Sequence, residues 1–444
     1  MNDNIPFDND NREKRTYIGI LRGIGYNINY IIGQNAFNPG NIWMLVQSPG
    51  ITLVLYLICF FISLLGSSVY IELGIRSLPS GIGEQKYISD AFFPKRNFGH
   101  VFSFVAIFYS NRVSDFINQS LALFKIIGLL IISVVGLVKL RTNSFNWNNI
   151  FNLHSDFGAY GSGLIKANYI FHFGINIKGW NNINYLIGEF NPSSDNLVYP
   201  SRILKYSSLI SVCISFISCC LTNAAFITVV GYNPNNSTYY ESTPMPMRFG
   251  QELFGKAGEN FMTTLVAIST FGSVSALIFT YSRIIKYAAE TEFIPSLFNS
   301  YRAYFNTLFN QLWAQFLYCS ILSIIFLIKM DYVADFLSNV SQYGYIIYHG
   351  ASALCLIIIK IRLRNTNPRI FSVPIYMVIT YLIIILVIIF ALLDPPRNGK
   401  FNYLISYCIS WVAVALGLII WYIRNRGQCV QNQTIGETSN DEKA

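Results

Sequence analysis

Long apolar runs, separated by short polar or charged stretches, recur along most of the 444-residue chain. A helix needs about 20 mostly apolar residues to cross a bilayer's hydrocarbon core, which is roughly 30 Å thick. Ten runs meet this length and predict an all-α polytopic membrane protein: 23–47, 50–71, 119–139, 167–188, 206–231, 261–282, 312–328, 332–359, 370–393 and 402–423. A further run, 97–110, is short, which favours a re-entrant or interfacial segment over a span.

One of these runs is interrupted by polar residues. Residues 171–185 read FHFGINIKGWNNINY, with a lysine, glycines and a cluster of asparagines in an otherwise apolar stretch. An unpaired backbone group in lipid costs several kcal/mol, so a broken helix is tolerated only where it lines a cavity. Many transporters hold their substrate at such breaks. The pattern therefore predicts a solute-binding site in this segment.

Composition supports a membrane protein over a soluble one. A chain of this length would suggest about three soluble domains. However, 53% of the residues are hydrophobic and only 12% are charged, whereas soluble domains average about 25% charged residues. The net charge of +9 does not indicate nucleic-acid binding, because the basic residues lie at the ends of apolar runs.

The distribution of basic residues predicts the orientation. If the N-terminus is cytosolic, 21 of the 31 lysines and arginines lie on the cytosolic side and eight on the opposite side. The positive-inside rule is then satisfied with both termini in the cytosol. Residues 1–17 contain no cleavable signal pattern, and we expect them and the tail at 424–444 to be disordered and cytosolic. Overlapping sequons at Asn235 and Asn236 then lie outside.

The chain lacks the usual signatures of enzymes and of ATP-driven pumps. Its four histidines form no H-E-x-x-H pair, and neither a G-x-S-x-G elbow nor a Walker loop occurs. Seven of the eight cysteines lie inside apolar runs, where cysteine behaves as a small hydrophobe. No disulfide framework or metal-ligand spacing is present. We therefore expect neither an enzyme nor a cofactor.

Four sequence blocks carry a resemblance to a known family. They are GYNINYIIGQNAFNPG (25–40), GSSVYIELGIRSLPSGIGEQKYI (66–88), GWNNINYLIGEFNP (179–192) and STFGSVSALIFTYSRIIKYAAETEFIPSLF (269–298). These blocks resemble the L-type amino-acid transporters of the amino acid–polyamine–organocation superfamily. The chain looks closest to the fungal high-affinity methionine permease branch. The resemblance extends over residues 18–423, which we expect to form one membrane domain.

The resemblance implies an inverted-repeat transporter fold with discontinuous first and sixth helices. Two repeats of five helices are followed by two more helices in that family. Residues 97–110 look like the start of the family's third helix, and 109–130 look like the end of its fourth helix running into the fifth. Most of helices 3 and 4 is therefore missing from this sequence. Whether the loss is biological or an artefact of the gene prediction stays open.

The resemblance also implies a substrate site at the two breaks. Backbone amides at the first break would bind the substrate carboxylate, since a half-helix N-terminus is electropositive. Carbonyls at the second break would accept the substrate ammonium. The implied residues are Ile31, Gly33, Gln34, Asn35, Ile175, Asn176, Ile177, Lys178, Gly179 and Trp180. Gln34 and Asn35 depart from the family pattern, which has serine and glycine after the first glycine of this break. Lys178 also departs from it and would repel an ammonium. Altered specificity and loss of transport both stay open.

A second lysine is implied at an ion site. The resemblance places Lys125 where sodium-independent members carry a lysine whose ammonium replaces a sodium ion. Ser269, Thr270 and Ser273 would be the acceptors. The alternative is a lysine that snorkels to the cytosolic interface.

Two glutamates match carboxylates of the family. Glu72 and Glu189 end the second and sixth helices on the cytosolic side. They could form a gate by pairing with Arg76, Arg202 or Lys286, or they could be solvated helix ends. His172 lies alone before the break, and we expect it to be a packed or hydrogen-bonded residue rather than a proton relay.

Together these features predict sodium-independent transport of neutral L-amino acids by alternating access, with methionine as a candidate substrate. The alternative is a non-transporting amino-acid receptor or an inactive remnant of such a permease. The expected partners are the amino acid and the lipid bilayer. A heavy-chain partner is not expected, because the cysteine that animal members use lies in the missing stretch. The sequence does not decide between the plasma membrane and a vacuolar or other endomembrane. It also leaves open the exact substrate, the choice between an exchanger and a proton symporter, and the oligomeric state.

Overall fold

The computed structural model describes residues 18–32, 37, 39–40, 43, 46–78, 83–92, 115–148, 150–151, 179–190, 198–233, 243–299, 308–328, 330–362, 371–391, 405 and 407–423. In this part of the chain every regular element is helical, which confirms the predicted all-α class. The stretch at 97–110 and most of the residues between it and Asp115 lie outside the description. The predicted loss of helices 3 and 4 therefore stays a prediction.

Ten α-helices are described. They are α1 (Ile20–Ile31), α2 (Pro49–Arg76), α3 (Gly83–Ala91), α4 (Asp115–Leu140), α5 (Val198–Val229), α6 (Met245–Glu290), α7 (Phe309–Ile328), α8 (Met330–Arg362), α9 (Ile375–Ala391) and α10 (Tyr407–Ile423). Three short 3-10 helices accompany them, at Ser144–Trp147, Asn182–Glu189 and Ser296–Phe298.

Five helices in the described part are long and apolar enough to cross a membrane. They are Pro49–Arg76, Ser120–Leu140, Val198–Val229, Met245–Glu290 and Tyr343–Arg362. Shorter apolar helices occur at Ile375–Phe390 and Tyr407–Ile423. All of these overlap predicted runs, which supports an integral membrane protein, while the full number of ten spans stays a prediction.

The first predicted run, 23–47, is not one continuous helix. Helix α1 ends at Ile31, and the N–H of Ile32 makes its last helical bond to the Ile28 carbonyl. The end comes directly before the Gly33-Gln34-Asn35 sequence, where the resemblance implied a break. The next span begins cleanly at α2: Ser48 accepts a hydrogen bond from the Ile51 N–H (3.3 Å), and Pro49 occupies the first helical turn.

Helix α6 is kinked near its start. Phe254 and Gly255 have non-helical dihedrals, and Gly255 has a φ of 59°. Gly250 and Gly258 lie against each other, since a Cβ on either would come within about 2.2 Å of the other's carbonyl oxygen. The part of α6 before the kink therefore packs closely on the part after it, and the predicted span at 261–282 lies wholly beyond the kink.

Helix α5 lies at the centre of the packing and contacts α1, α2 and α4. Hydroxyl residues recur every three or four positions on one buried face of α5: Ser207, Ser211, Ser215, Ser218 and Thr222. Such small side chains let helices approach closely in a membrane. Helices α1 and α5 approach closely at Gly23, because a Cβ on this glycine would lie 2.4 Å from the Ser207 Oγ. Helix α8 packs mainly against α3 and α9 and also contacts α2 and α7.

Candidate functional site

The residues that follow the predicted break in 171–185 are held in a conformation that requires glycine. Gly179 has a φ of 104°, in the region that side-chain-bearing residues rarely adopt. The Tyr30 ring of α1 also approaches so closely that a Cβ on Gly179 would lie 1.9 Å from it. The segment 179–190 therefore meets the end of α1 by direct backbone-to-ring packing.

Asn27 of α1 forms hydrogen bonds with the segment 179–190. Its Nδ2 donates to the Trp180 carbonyl (3.1 Å) and to the Ser211 Oγ of α5 (3.2 Å). Its Oδ1 accepts a hydrogen bond from the Ile183 backbone N–H (3.0 Å). Asn27 is fully buried, so these bonds satisfy polar groups that would otherwise be costly to bury. One side chain thus joins α1, α5 and the segment 179–190.

Three asparagines of the segment each accept a hydrogen bond from a different helix. The bonds are from the Tyr345 hydroxyl of α8 to Asn181 Oδ1 (3.3 Å), from the Thr280 hydroxyl of α6 to Asn182 Oδ1 (2.6 Å), and from the Tyr87 hydroxyl of α3 to Asn184 Oδ1 (3.0 Å). The asparagine cluster seen in the sequence therefore fixes the segment against three neighbouring helices. Its polarity is used in structural hydrogen bonds.

Trp180 occupies a packed position. Its indole is 4% exposed and lies against Gly66 of α2, where a Cβ would come 2.7 Å from the ring. The Tyr70 and His349 rings meet it edge-on, each with centroids 5.2 Å away. Because Asn27 already binds the Trp180 carbonyl, a substrate contact here would use the ring. That role stays a prediction.

His349 of α8 is a buried polar residue that the sequence reasoning did not single out. Its ring lies 4.8 Å from that of Tyr70 and 4.1 Å from that of Tyr345, measured between centroids. Its Nδ1 is 2.7 Å from the Tyr381 hydroxyl of α9. In the sequence it is one of four isolated histidines. Its partners are distant along the chain, so no local pattern marks it.

Lys125 of α4 binds the end of α1. Its ammonium donates to the carbonyls of Asn29 (2.9 Å) and Ile32 (2.7 Å) and to the Ser273 hydroxyl of α6 (2.8 Å). The side chain is fully buried. These three bonds use all three N–H groups of the ammonium. The lysine thus lies between the end of α1 and α6, and its ammonium is not directed to an interface as the snorkelling alternative would require.

Only one of the three predicted acceptors of Lys125 is used. The Thr270 hydroxyl donates to the Val266 carbonyl within α6 (2.9 Å). The Ser269 hydroxyl is buried and has no hydrogen-bond partner among the described residues. The last carbonyls of a helix lack partners within it and form its electronegative end. The end of α1 therefore attracts positive charge, which the Lys125 ammonium supplies. A metal cation could bind at the same place.

Glu72 of α2 is completely buried in an ion-pair network. Its Oε1 lies 2.8 Å from both the Arg76 and the Lys360 side-chain nitrogens, and its Oε2 accepts from the Val373 N–H (2.7 Å). Arg76 was among the predicted partners, whereas Lys360 of α8 was not anticipated. The network connects α2, α8 and the residues before α9.

The other proposed gate partners are placed differently. Lys286 pairs with Glu290 one helical turn later (2.8 Å), and Arg202 is exposed at the start of α5. Glu189 ends its 3-10 helix, but its side chain lies outside the described part. A Glu189 gate therefore stays a prediction.

Much of the predicted substrate site lies outside the described residues. This applies to Gly33, Gln34, Asn35, Ile175, Asn176, Ile177 and Lys178, and also to His172. Ile31, the last residue of α1, is described and is 6% exposed. The described residues thus include one flank of each predicted break. Helix α1 ends directly before the first break, and the segment 179–190 begins directly after the second.

The chain is similar in sequence to known amino-acid transporters. The human large neutral amino acids transporter small subunit 2 is 23% identical over 335 residues, which is 63% of this chain and 59% of that protein. The high-affinity methionine permease of Saccharomyces cerevisiae is 24% identical over 367 residues, 70% of this chain and 61% of the permease. The chain thus covers less than two thirds of the length of either relative.

Among solved structures, a manganese transporter from Eremococcus coleocola aligns with 91% of this chain and 94% of its own, at 14% identity and a TM-score of 0.49. A sequence model of the family described as "Amino acid permease" matches residues 101–420. That match extends over well more than half of the chain and includes the segment 179–190, Lys125 and Ser273. The chain therefore belongs to the amino acid permease family.

Proposed function

We propose that this protein carries neutral L-amino acids across a membrane by alternating access and without sodium. Membership of a permease family supports transport of an amino acid. Two relatives are named for large neutral amino acids and for methionine, which makes methionine the first substrate to test. The expected site lies between the break at 31–35 and the break at 175–180.

The inverted-repeat fold with discontinuous first and sixth helices is part of this proposal. Helix α1 stops at Ile31 within a run that is long enough to continue as a span. Gly179 has a positive φ at the start of the second half of the interrupted run. Tyr30, near the end of α1, packs against Gly179, which supports two neighbouring breaks such as a midplane binding site requires.

The observation that carries sodium independence is the position of the Lys125 ammonium. It is bound to the Asn29 and Ile32 carbonyls and to the Ser273 hydroxyl. A sodium ion at the end of α1 would need these same oxygen atoms. A fixed positive charge already supplied by the protein removes the need for the ion and joins α1, α4 and α6.

Uptake of radiolabelled methionine into proteoliposomes tests this proposal. Uptake by the wild-type protein should be unchanged when sodium is replaced by choline. Lys125→Ala should lower uptake at least tenfold, because the carbonyls at the end of α1 lose their cation. Lys139→Ala is the matched control, since Lys139 is exposed at the far end of the same helix and its loss should leave uptake unchanged. Uptake that depends on sodium in the wild-type protein would contradict the proposal.

A non-transporting amino-acid receptor, or an inactive remnant, is the second candidate. It is favoured by the Gly33-Gln34-Asn35 and Lys178 departures in the two breaks. Methionine binding without uptake, measured on correctly inserted protein, would support the receptor. Neither binding nor uptake would support the remnant. Binding and uptake should both be measured on the protein expressed without a second subunit. Uptake under these conditions would also support the proposal that no heavy-chain partner is needed.

A further inference from the structure

Glu84, in the first turn of α3, is a buried carboxyl group with no cation against it among the described residues. It is 1% exposed. The Tyr70 hydroxyl of α2 donates to its Oε1 (2.6 Å), and the Tyr185 hydroxyl and the backbone N–H of Glu84 itself also lie beside the carboxyl group. No hydrogen bond of ordinary geometry reaches Oε2 from the described residues. The two hydroxyls and the backbone N–H groups at the start of α3 favour a negative charge here, but no cation in the described part of the chain lies against the carboxyl group, and the effect of burial is larger.

Glu72 provides a direct contrast in the same molecule. Both carboxyl groups are buried near the C-terminal end of α2, but Glu72 lies against two cations and a backbone N–H. A buried carboxylate is stable only when it is paired and hydrogen-bonded, and otherwise it takes up a proton. Glu72 therefore has the surroundings of an ionised group, whereas Glu84 has those of a neutral acid. Burial accordingly raises the pKa of Glu84 above its usual value.

The groups around Glu84 come from every helix packed near it. The titratable and charged ones are Tyr30 of α1, Tyr70 of α2, Lys86, Tyr87 and Asp90 of α3, Tyr185 of the segment 179–190, Tyr281 of α6, Tyr345, His349 and Cys355 of α8, and Tyr381 of α9. Lys86 pairs with Asp90 (2.6 Å), and His349 lies against Tyr381. The remaining groups are phenols and a thiol, which are neutral at pH 7.

We propose that Glu84 is the proton-binding site through which transport is coupled to a proton gradient. The carboxyl group holds a proton on the oxygen that accepts no hydrogen bond. It releases this proton to water when Tyr70 and Tyr185 separate from it, leaving a carboxylate and a hydronium ion. Tyr185 belongs to the segment that follows the second break, so movement of that segment would open and close the site. This inference rests on the proposed transport function.

Infrared spectroscopy of the full-length protein in lipid tests the proton site without requiring transport. At pH 7 the wild-type protein should show the carbonyl-stretch band of a protonated carboxyl group, and Glu84→Gln should remove it. Glu290→Gln is the control and should keep the band, because the Glu290 side chain is partly exposed and pairs with Lys286. A band that survives in Glu84→Gln, or that is absent from the wild-type protein, would overturn the assignment.

Methionine accumulation in proteoliposomes tests the coupling. With the membrane potential clamped and an inward gradient of one pH unit, coupling to one proton supports about tenfold accumulation. The wild-type protein and the exposed-site control Glu252→Gln should approach this ratio. Glu84→Gln should equilibrate methionine to a ratio of about one while retaining exchange of labelled for unlabelled methionine, which shows that it is folded.

The two readouts separate the possible failures. Accumulation by Glu84→Gln equal to that of the wild-type protein would disprove the coupling. Complete absence of uptake by the wild-type protein would disprove the proposed function and with it the coupling. The infrared band would still decide whether Glu84 binds a proton.

Discussion

At the scale of single residues, the described site is made of side chains that bind backbone groups at helix ends. Lys125 binds the last carbonyls of α1, and Asn27 binds the Trp180 carbonyl and the Ile183 N–H. Broken helices expose such groups, and buried side chains must then satisfy them. Gly179 allows α1 and the segment 179–190 to pack together because it has no side chain, and Tyr30 occupies the space that a Cβ would need.

The glycine at position 179 should be much less replaceable than another glycine with a positive φ. Gly179→Ala combines backbone strain with a clash against Tyr30. Gly255→Ala carries the strain alone, since nothing lies within 4 Å of the added Cβ. A residue in such a sparsely populated backbone region costs about 1–3 kcal/mol, so Gly255→Ala should lower the apparent melting temperature moderately. Gly179→Ala should lower it far more or prevent purification. Equal losses, measured by thermal unfolding in detergent, would contradict the packing at Tyr30.

At the scale of elements, α2 is attached to α8 and to the start of α9 by one carboxylate. The pairs of Glu72 with Arg76 and Lys360, and its bond from Val373, lie in a buried region. Removing one partner of a buried pair leaves the other charge uncompensated. The network is therefore expected to hold the ends of these three helices in the arrangement described.

Glu72→Gln should destabilise the protein by about 3–5 kcal/mol, the usual loss when a buried ion pair is broken on one side. Glu290→Gln is the control, because its pair with Lys286 is about one third exposed on the glutamate side and exposed pairs contribute about 1 kcal/mol or less. Thermal unfolding of both variants, compared with the wild-type protein, measures the difference. A Glu72→Gln protein as stable as Glu290→Gln would show that the network does not connect the helices.

At the scale of the whole molecule, the arrangement in the membrane is expected from the basic residues. Twenty-one lysines and arginines fall on one side of the predicted spans, against eight on the other. This places both termini in the cytosol and the sequons at Asn235 and Asn236, between α5 and α6, outside. The described helices are compatible with this topology, which stays a prediction.

Protease protection of tagged protein in sealed right-side-out vesicles tests the orientation. Tags at both termini should resist added protease until the vesicles are opened with detergent. An engineered protease site next to Asn235 should be cleaved at once, because that loop faces outward. Digestion of either terminal tag in sealed vesicles would contradict the topology, and protection of the site near Asn235 would do the same.

Local sequence was sufficient for those features that depend on nearby residues. Apolar run length indicated a membrane protein, because the thickness of the bilayer sets the length of each span. Polar residues within apolar runs marked the end of α1 and the segment after Gly179, because lipid cannot satisfy a broken backbone. The family resemblance, read from short motifs, directed attention to Lys125 and Ser273, which the structure brings together at 2.8 Å.

Only the tertiary structure decided which polar groups meet across the molecule. Glu72 and Glu84 look alike in the sequence, yet Lys360 and Val373 reach the first, while the second meets only tyrosines in the described part. His349 likewise acquires its surroundings from α2, α9 and the segment 179–190. The charge state of a buried group depends on its burial and its neighbours. Those neighbours are brought by helices far apart along the chain, so no local pattern could have distinguished the two carboxyl groups.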